Sequence, residues 1–441
     1  MMPALDTIRR CLDGAIPATI ATCAPDGMPN VAYLSHVHYI DNGHVALSFQ
    51  FFSKTRENIL VNPYATVQVV DPDTAAHYRL ALRYLRTETE GPLFENMKAK
   101  LAGIASHAGM SKVFKLQGSD VYEVLSIEQV PGTTLPPPPP RRNHLAALRA
   151  AAQRIARCTD LASLLDETLL SLEQQFDIHH MMLLLLSESG DRLYTVASRG
   201  YERSGVGSEI RLGEGIIGVA AREGTPIRIA HMTNEYLYSQ AVRHGVAQCD
   251  LETEIPLPGI PDSRSQLAVP VQLHGRLRGV LYVESPHDRR FSYEDEDALL
   301  TLADYLASMI QLCGQAAEHE SGGDVVSRPD TVSGSPALIR HYAADNSVFI
   351  DCDYLIKGVA GAILWKLLRE YLQHGRTDFT NRELRLDPAL RLPDIGENLE
   401  ARLILLQKRL AERCPFLSLE KTGRGRFRLH ITRPVHVAEA T

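Results

Sequence analysis

The chain has 441 residues, 22% charged and 44% hydrophobic residues, and a formal net charge of −7. A chain of this length is too long to fold around a single hydrophobic core, and its length predicts about three domains. The composition is typical of a globular protein. It excludes a strongly basic nucleic-acid-binding chain as a whole, so that any basic surface must be local.

Seven cysteines are scattered along the chain, and none forms a Cys-x-x-Cys pair. An odd number without paired spacing argues against a disulfide framework and against structural zinc, and it favours a reducing compartment. The N-terminal residues lack the apolar core of a signal peptide, and the longest apolar runs are too short to cross a bilayer. We therefore expect a cytoplasmic protein that has no membrane partner.

Two breaks divide the sequence. The first is the proline run 136–140, which predicts a stiff polyproline II spacer, and the second is the Ser-, Gly- and Asp-rich stretch 318–336, which predicts a flexible linker. The predicted organisation is a first region (1–132), a Pro-rich linker (133–142), a second region (143–316), a flexible linker (317–345) and a third region (346–435).

The first region changes from a strand to a short helix near residue 50. Apolar residues alternate over 44–50, Ser53 is a favourable N-cap, and Asn62-Pro63 would end the helix. Two cations and a hydroxyl occupy the first turn: Lys54, Thr55 and Arg56. Because a helix N-terminus offers free backbone N–H groups and a positive dipole end, this turn predicts a phosphate site. An ordinary basic surface helix is the alternative.

This order resembles the FMN-binding split barrels related to pyridoxamine 5'-phosphate oxidase. The motif reads Lys54-Thr55-Arg56-Glu57-Asn58, followed by Asn62-Pro63, and the resemblance extends from Leu5 to Val130. It implies an antiparallel split β-barrel that binds FMN, with FAD or a deazaflavin left open, at a homodimer interface. The resemblance predicts that eight residues bind the cofactor: Ser35, Ser48, Gln50, Ser53, Lys54, Thr55, Arg56 and Asn58. His36 and His38 share a strand face without further ligands at metal spacing, so we expect no metal site.

The second region begins with two amphipathic helices, 144–156 and 161–176, and continues with buried strands. Its motifs 212–229, 267–285 and 291–300 follow one another in the order of the GAF sensory domain, which the region closely resembles. The resemblance implies an α/β domain that receives a small molecule or another signal under a cap. Phe291-x-x-x-Asp295-Glu296 matches half of a cyclic-nucleotide pattern, but the Asn-Lys half is absent.

The third region predicts three helices, 355–373, 381–386 and 397–413, and a basic hairpin over 416–432. This plan is similar to the winged-helix output domain of response regulators. Residues 351–433 contain five more basic than acidic residues, as a DNA-contacting module requires. A protein-docking winged helix with a solvated basic face is the alternative. The candidate DNA contacts are Arg402, Lys408, Arg409, Arg413, Arg424 and Arg426.

The sequence therefore predicts a multidomain α+β chain with a split barrel, a GAF domain and a winged helix. Its expected function is that of a flavin-linked regulator with a DNA-binding transcriptional output. A flavin-dependent oxidoreductase regulated by its GAF domain is the alternative. No residue stands out as acid, base or nucleophile, and flavin chemistry needs little beyond positioning, so catalytic turnover stays open.

Overall fold

The structure is a computed structural model. It describes residues 4–13, 16–34, 37–49, 54–107, 116–136, 142–230, 255–316, 334–351, 353–390, 399–423 and 425–440. Of the residues and segments named above, Ser35, His36, Gln50, Ser53, Arg424, the proline run beyond Pro136 and most of the second linker lie outside these ranges.

The first region forms one antiparallel sheet of seven strands in the order β2-β1-β5-β6-β7-β4-β3. The strands are β1 (Ala18–Cys23), β2 (Pro29–Leu34), β3 (Val37–Asp41), β4 (His44–Phe49), β5 (Tyr64–Val70), β6 (His77–Glu88) and β7 (Gly118–Val130). The helices are a 3-10 helix (Leu5–Leu12), α1 (Lys54–Val61) and α2 (Pro92–His107). Buried side chains of β1, β4, β5, β6 and the 3-10 helix make a common core.

Local sequence explains how the chain reaches α1. The side chain of Asp41 accepts a hydrogen bond from the backbone N–H of Gly43 at 2.7 Å, which closes the hairpin between β3 and β4. The helix α1 then packs on β1 and β2 through Ile59, which is buried. It ends at Val61, just before the predicted stop at Asn62-Pro63.

The second region is a six-stranded antiparallel sheet with helices on both faces, in the order β10-β9-β8-β13-β12-β11. The strands are β8 (His180–Leu186), β9 (Arg192–Arg199), β10 (Glu209–Arg211), β11 (Ile227–Ile229), β12 (Ser265–Leu273) and β13 (Arg276–Ser285). The helices are α3 (His144–Ile155), α4 (Leu161–Phe176), α5 (Gly215–Glu223) and α6 (Tyr293–Ala316).

Successive side chains along each strand point to opposite faces of this sheet. Met181 and Leu183 face α3, α4 and α6, whereas Met182 and Leu184 face α5. Asp160 caps α4, because its side chain accepts a hydrogen bond from the backbone N–H of Ser163 at 3.1 Å.

The third region contains two small sheets and three helices. One sheet has the order β16-β15-β14-β20 and the other β17-β19-β18. The strands are β14 (Ala337–Tyr342), β15 (Ser347–Ile350), β16 (Asp353–Ile356), β17 (Asp378–Thr380), β18 (Leu417–Gly423), β19 (Arg426–Ile431) and β20 (Val435–Ala440). The helices are α7 (Gly358–His374), α8 (Asn381–Arg385) and α9 (Leu399–Arg413), with a 3-10 turn at Pro388–Leu390.

Two expectations for this region are corrected. The predicted flexible linker 317–345 contains β14, which is ordered because it pairs with β15 and, in parallel, with β20. The helix α7 starts at Gly358 instead of residue 355, because Leu355 and Ile356 are buried in β16. The helix α8 begins with a capping box, in which Thr380 and Glu383 exchange side-chain and backbone hydrogen bonds.

The three regions contact one another. The helix α2 of the first region packs on α5 of the second, where the Asn96 side-chain amide donates to the Thr225 hydroxyl at 2.6 Å. The helix α9 of the third region packs on α4 and β9. Among the helices that the structure describes, none has the length and apolarity that crossing a bilayer requires.

Candidate functional site

The start of α1 is the predicted cofactor site, and two of its side chains face outward. Lys54 is more than half exposed and lies 3.4 Å from the carboxylate of Glu57. The hydroxyl of Thr55 accepts a hydrogen bond from the side-chain amide of Asn30 on β2 at 2.9 Å. These side chains, together with the free N–H groups of the first turn, remain suited to a phosphate.

Arg56 has a different environment from Lys54. Its guanidinium forms an ion pair with Asp120 of β7, donates to the Thr87 hydroxyl at 2.9 Å and stacks 4.2 Å from the ring centre of Phe49. The Thr87 hydroxyl also donates to Asp120 at 2.6 Å. Both charged side chains of the pair are mostly buried, with exposed fractions of 13% and 7%. A phosphate would therefore have to compete with Asp120 for Arg56.

The other predicted cofactor residues that the structure describes are Asn58 and Ser48. Asn58 is buried and donates to the Thr22 hydroxyl of β1 at 3.1 Å, so it fixes α1 to the sheet and does not face a ligand. Ser48 lies in β4 opposite Ser119 of β7. The residues present thus fit a flavin phosphate at Lys54 and Thr55, whereas Arg56 and Asn58 have protein partners.

A second polar cluster lies on the α5 face of the second region's sheet, and it was not predicted from the sequence. Glu284 of β13 is 3% exposed; it accepts hydrogen bonds from the backbone N–H of Ile260 at 3.1 Å and from the Tyr282 hydroxyl at 3.3 Å. Burial raises the pKa of Glu284, although these hydrogen bonds oppose the shift. Gln266, opposite Glu284 on β12, is also buried, and its carboxamide oxygen has no partner among the described residues.

Aromatic side chains complete this cluster. The ring of Tyr201 lies edge-on to that of His180, with 5.8 Å between the centres. The Tyr201 hydroxyl is buried, and burial together with the nearby Glu284 charge raises the pKa of Tyr201. Burial and the neighbouring His179 lower the pKa of His180. In sequence, the only signal was a glutamate at an inward position of the otherwise apolar strand 280–285.

The three residues of the motif Phe291-x-x-x-Asp295-Glu296 are buried or bonded to other residues of the second region. Phe291 is buried, Asp295 accepts from the backbone N–H of Ser292 at 2.9 Å, and Glu296 forms an ion pair with Arg228 at 2.7 Å. Within the described ranges, no group of three or more His, Cys, Asp and Glu side chains is placed to hold a metal ion.

Of the four predicted DNA-contacting residues on α9, Arg402 and Lys408 contact the second region. The Arg402 guanidinium stacks 3.7 Å from the ring centre of Tyr194, and Lys408 forms an ion pair with Asp166 at 2.9 Å. Arg409 is 4% exposed and donates to the carbonyl of Leu355 at 3.1 Å. Arg413 is exposed beside them, and Arg426 is half-buried at the start of β19. In this arrangement the basic face of α9 is an interdomain contact.

Comparison with known families identifies two of the three regions. Residues 4–125 match the pyridoxamine 5'-phosphate oxidase family, and residues 158–311 match the GAF domain. The chain therefore contains a pyridoxamine 5'-phosphate oxidase-like domain, followed by a GAF domain, as the sequence predicted. No curated protein matches the chain.

Solved structures resemble the same two regions. A GAF domain of an Acinetobacter phosphoenolpyruvate-protein phosphotransferase is 26% identical and covers 38% of this chain and 92% of its own, with a TM-score of 0.31. Free methionine-R-sulfoxide reductase from Neisseria meningitidis is 22% identical over 39% and 91% of the two chains, with a TM-score of 0.31. An FMN-binding protein from Syntrophomonas wolfei is 19% identical over 29% and 90%, with a TM-score of 0.24.

Proposed function

We propose that the protein is a flavin-linked sensory regulator: the oxidase-like domain binds FMN, the GAF domain receives a small-molecule or redox signal, and the third region gives a DNA-binding output. The observation that carries this proposal is the presence of an oxidase-like domain and a GAF domain in one chain. The scattered cysteines support a cytoplasmic location.

Lys54, Thr55 and the first N–H groups of α1 would hold the flavin phosphate. Lys54 has only an exposed partner on its own helix, and such pairs contribute little free energy, so the lysine is free to turn to a ligand. When bound, the flavin would supply a redox-active ring system.

Titration of the purified full-length protein with FMN, followed by quenching of flavin fluorescence, tests this assignment. We expect saturable binding that Lys54→Ala weakens by about tenfold, the loss of one charge-assisted contact. Lys98→Ala, which removes an exposed lysine from α2, is the matched control. Absence of FMN uptake by the wild-type protein would refute the flavin proposal.

The outer face of β2 supports a homodimer. Along this strand the exposed positions alternate with half-buried ones, and Val31 and Tyr33 are 68% and 83% exposed. Thr19 and Ala21 of β1 lie opposite them and are half-buried, so the most exposed side chains of this face are apolar. A contiguous exposed apolar surface of this kind is typical of a protein–protein interface.

Light scattering on the eluate of a gel-filtration column measures the mass of the assembly directly. We expect a dimer for the wild type and a monomer for Tyr33→Asp, because a buried unpaired carboxylate opposes association. Leu386→Asp, at a 71% exposed position that follows α8 in the third region, is the control. A monomeric wild type at micromolar concentration would refute the dimer.

The order of elements in the third region supports a winged helix, since α7, α8 and α9 combine with the sheet β17-β19-β18. The helix α9 would contact DNA, and its contacts with Asp166 and Glu188 of the GAF domain cover it here. DNA binding would therefore require α9 to separate from the GAF domain.

The affinity for duplex DNA, measured at a fixed salt concentration, tests whether α9 has to separate from the GAF domain. We expect the double variant Asp166→Asn, Glu188→Gln to bind duplex DNA more tightly than the wild type, because it weakens the contacts of Lys408 and Arg402. The variant Glu214→Gln, Asp304→Asn makes the same charge change away from α9 and should have a smaller effect. Equal effects of the two double variants would refute the role of α9.

A further inference from the structure

A cleft separates the GAF domain from the third region at the C-terminal half of α9. Its volume is about 320 Å³, within the size range of small-molecule sites. Its walls are the turn 202–205 between β9 and β10, the residues 255–256 that precede β12, and α9. The charged residues that line it are Glu202, Arg203, Arg409, Glu412 and Arg413.

Two glycines fix the shape of the GAF turn beside the cleft. Gly205 and Gly207 both have positive φ, at 59° and 91°. A Cβ atom on Gly205 would lie 2.2 Å from the ring of Pro258, and one on Gly207 would lie 2.8 Å from Ile255. A larger residue at either position would therefore force this turn to shift.

The charges inside the cleft are unevenly compensated. Glu412 accepts from Arg409 at 3.3 Å and from the hydroxyl of Ser204, so its charge is already paired. Arg203 and Arg413 are exposed, and neither forms an ion pair or a side-chain hydrogen bond with the residues that the structure describes. Among the described residues that line the cleft, Glu202 is the remaining carboxylate, and its side chain is exposed.

The buried arginine of the group is already compensated. Burial lowers the pKa of Arg409 and the nearby Arg413 charge adds to the shift, but the attraction of Glu412 outweighs the repulsion by Arg413. The α9 cation available to an anion in the cleft is therefore Arg413 and not Arg409.

We propose that this cleft binds a small oxyanion, a phosphate or a carboxylate compound, which Arg203 of the GAF domain and Arg413 of the third region hold from opposite sides. Guanidinium groups bind both classes of oxyanion through paired N–H donors. Because the two arginines belong to different regions, the ligand would join the GAF domain to α9. This inference is independent of the flavin proposal.

Calorimetric titration of the full-length protein with inorganic phosphate and, separately, with citrate tests the site at constant ionic strength and identifies the preferred class. We expect saturable binding of at least one probe, which Arg203→Ala and Arg413→Ala each weaken by about tenfold. Arg276→Ala, which removes an exposed arginine from the hairpin between β12 and β13, should bind as the wild type does. No saturable binding of either probe, or equal affinity in all four proteins, would overturn the proposal.

Hydrogen exchange of the wild-type protein shows whether the probe binds in this cleft or at another anion site. This measurement does not depend on whether a variant folds. In the wild type, the bound probe should slow amide exchange both in 202–208 and in α9. Arg203→Lys, which keeps the charge but loses the paired donors, should bind with intermediate affinity. Protection confined to one of the two segments would overturn the bridging role.

Discussion

Asp120 determines the environment of Arg56. A guanidinium at the start of a helix can bind a phosphate. The guanidinium of Arg56, however, is already paired with the carboxylate of Asp120, which comes from a strand far along the chain. The same physics applies to Arg228 and Arg409, whose charges are buried against protein partners. A basic residue type therefore does not define a binding site unless its partner is known.

Removal of Arg56 should destabilise the oxidase-like domain far more than removal of Lys54. Arg56→Ala leaves Asp120 buried without its cation, which costs about 3–5 kcal/mol, whereas Lys54→Ala at an exposed position changes stability by about 0.5 kcal/mol or less. Hydrogen exchange of the β4 and β7 amides measures both. Similar exchange in the two variants would contradict the assigned roles.

Glu284 should make the GAF domain less stable as pH rises. Its pKa in the folded state is raised above the ordinary value of 4.5, so the folded state holds the proton longer than the unfolded chain. The stabilising contribution is complete below about pH 4.5 and decreases as the pH rises through the folded-state value.

Glu284→Gln removes this titration and keeps a hydrogen-bond acceptor. The melting temperature of this variant should therefore rise relative to the wild type as the pH increases above about 4.5. Glu214→Gln, at an exposed position, should follow the wild-type curve. Parallel curves for Glu284→Gln and wild type would show that Glu284 does not titrate differently in the folded state.

At the scale of elements, close backbone approach decides how helices and sheets fit. Gly361 of α7 lies against the turn between β14 and β15, where a Cβ atom would be 2.0 Å from the carbonyl oxygen of Asn346. Gly314 of α6 has no such neighbour within 4 Å. A side chain at position 361 would therefore clash with the backbone, whereas a side chain at position 314 would not.

Gly361→Ala should destabilise the third region by about 2–3 kcal/mol, since the added methyl group forces α7 away from the sheet. Gly314→Ala should stabilise α6 by about 0.5–1 kcal/mol through helix propensity. Trp365, the single tryptophan, stacks on His341 with 4.6 Å between ring centres, so its fluorescence follows unfolding of the third region. A Gly361→Ala protein as stable as the wild type would contradict the close approach.

At the scale of the whole molecule, Arg228 connects the oxidase-like and GAF domains. Its side chain is 5% exposed and forms ion pairs with Asp13 of the first region and Glu296 of α6, both at 2.7 Å. It also stacks 4.0 Å from the ring centre of Tyr293, and Arg9 stacks on the same ring at 4.3 Å. This contact is desolvated and joins the two domains.

Arg228→Ala should uncouple the domains, because two carboxylates remain buried together at a cost of about 3–5 kcal/mol. Scanning calorimetry should show the oxidase-like and GAF domains melting in separate transitions in the variant and together in the wild type. Arg222→Ala, an exposed position on α5, should leave the wild-type profile unchanged. A single shared transition in Arg228→Ala would argue against the connection.

The sequence by itself determined the features that depend on near neighbours. The cap at Asp160, the capping box of Thr380 and Glu383, and the turn at His274-Gly275 each involve residues a few positions apart, and all three are present. Periodicity and motif order also identified the oxidase-like and GAF domains. Only the tertiary structure decided the partners of Arg56 and Arg409, the parallel pairing of β14 with β20 and the cluster around Glu284. These contacts join residues that are distant along the chain, and burial, which sets the energy of a charge, exists only once the chain has folded.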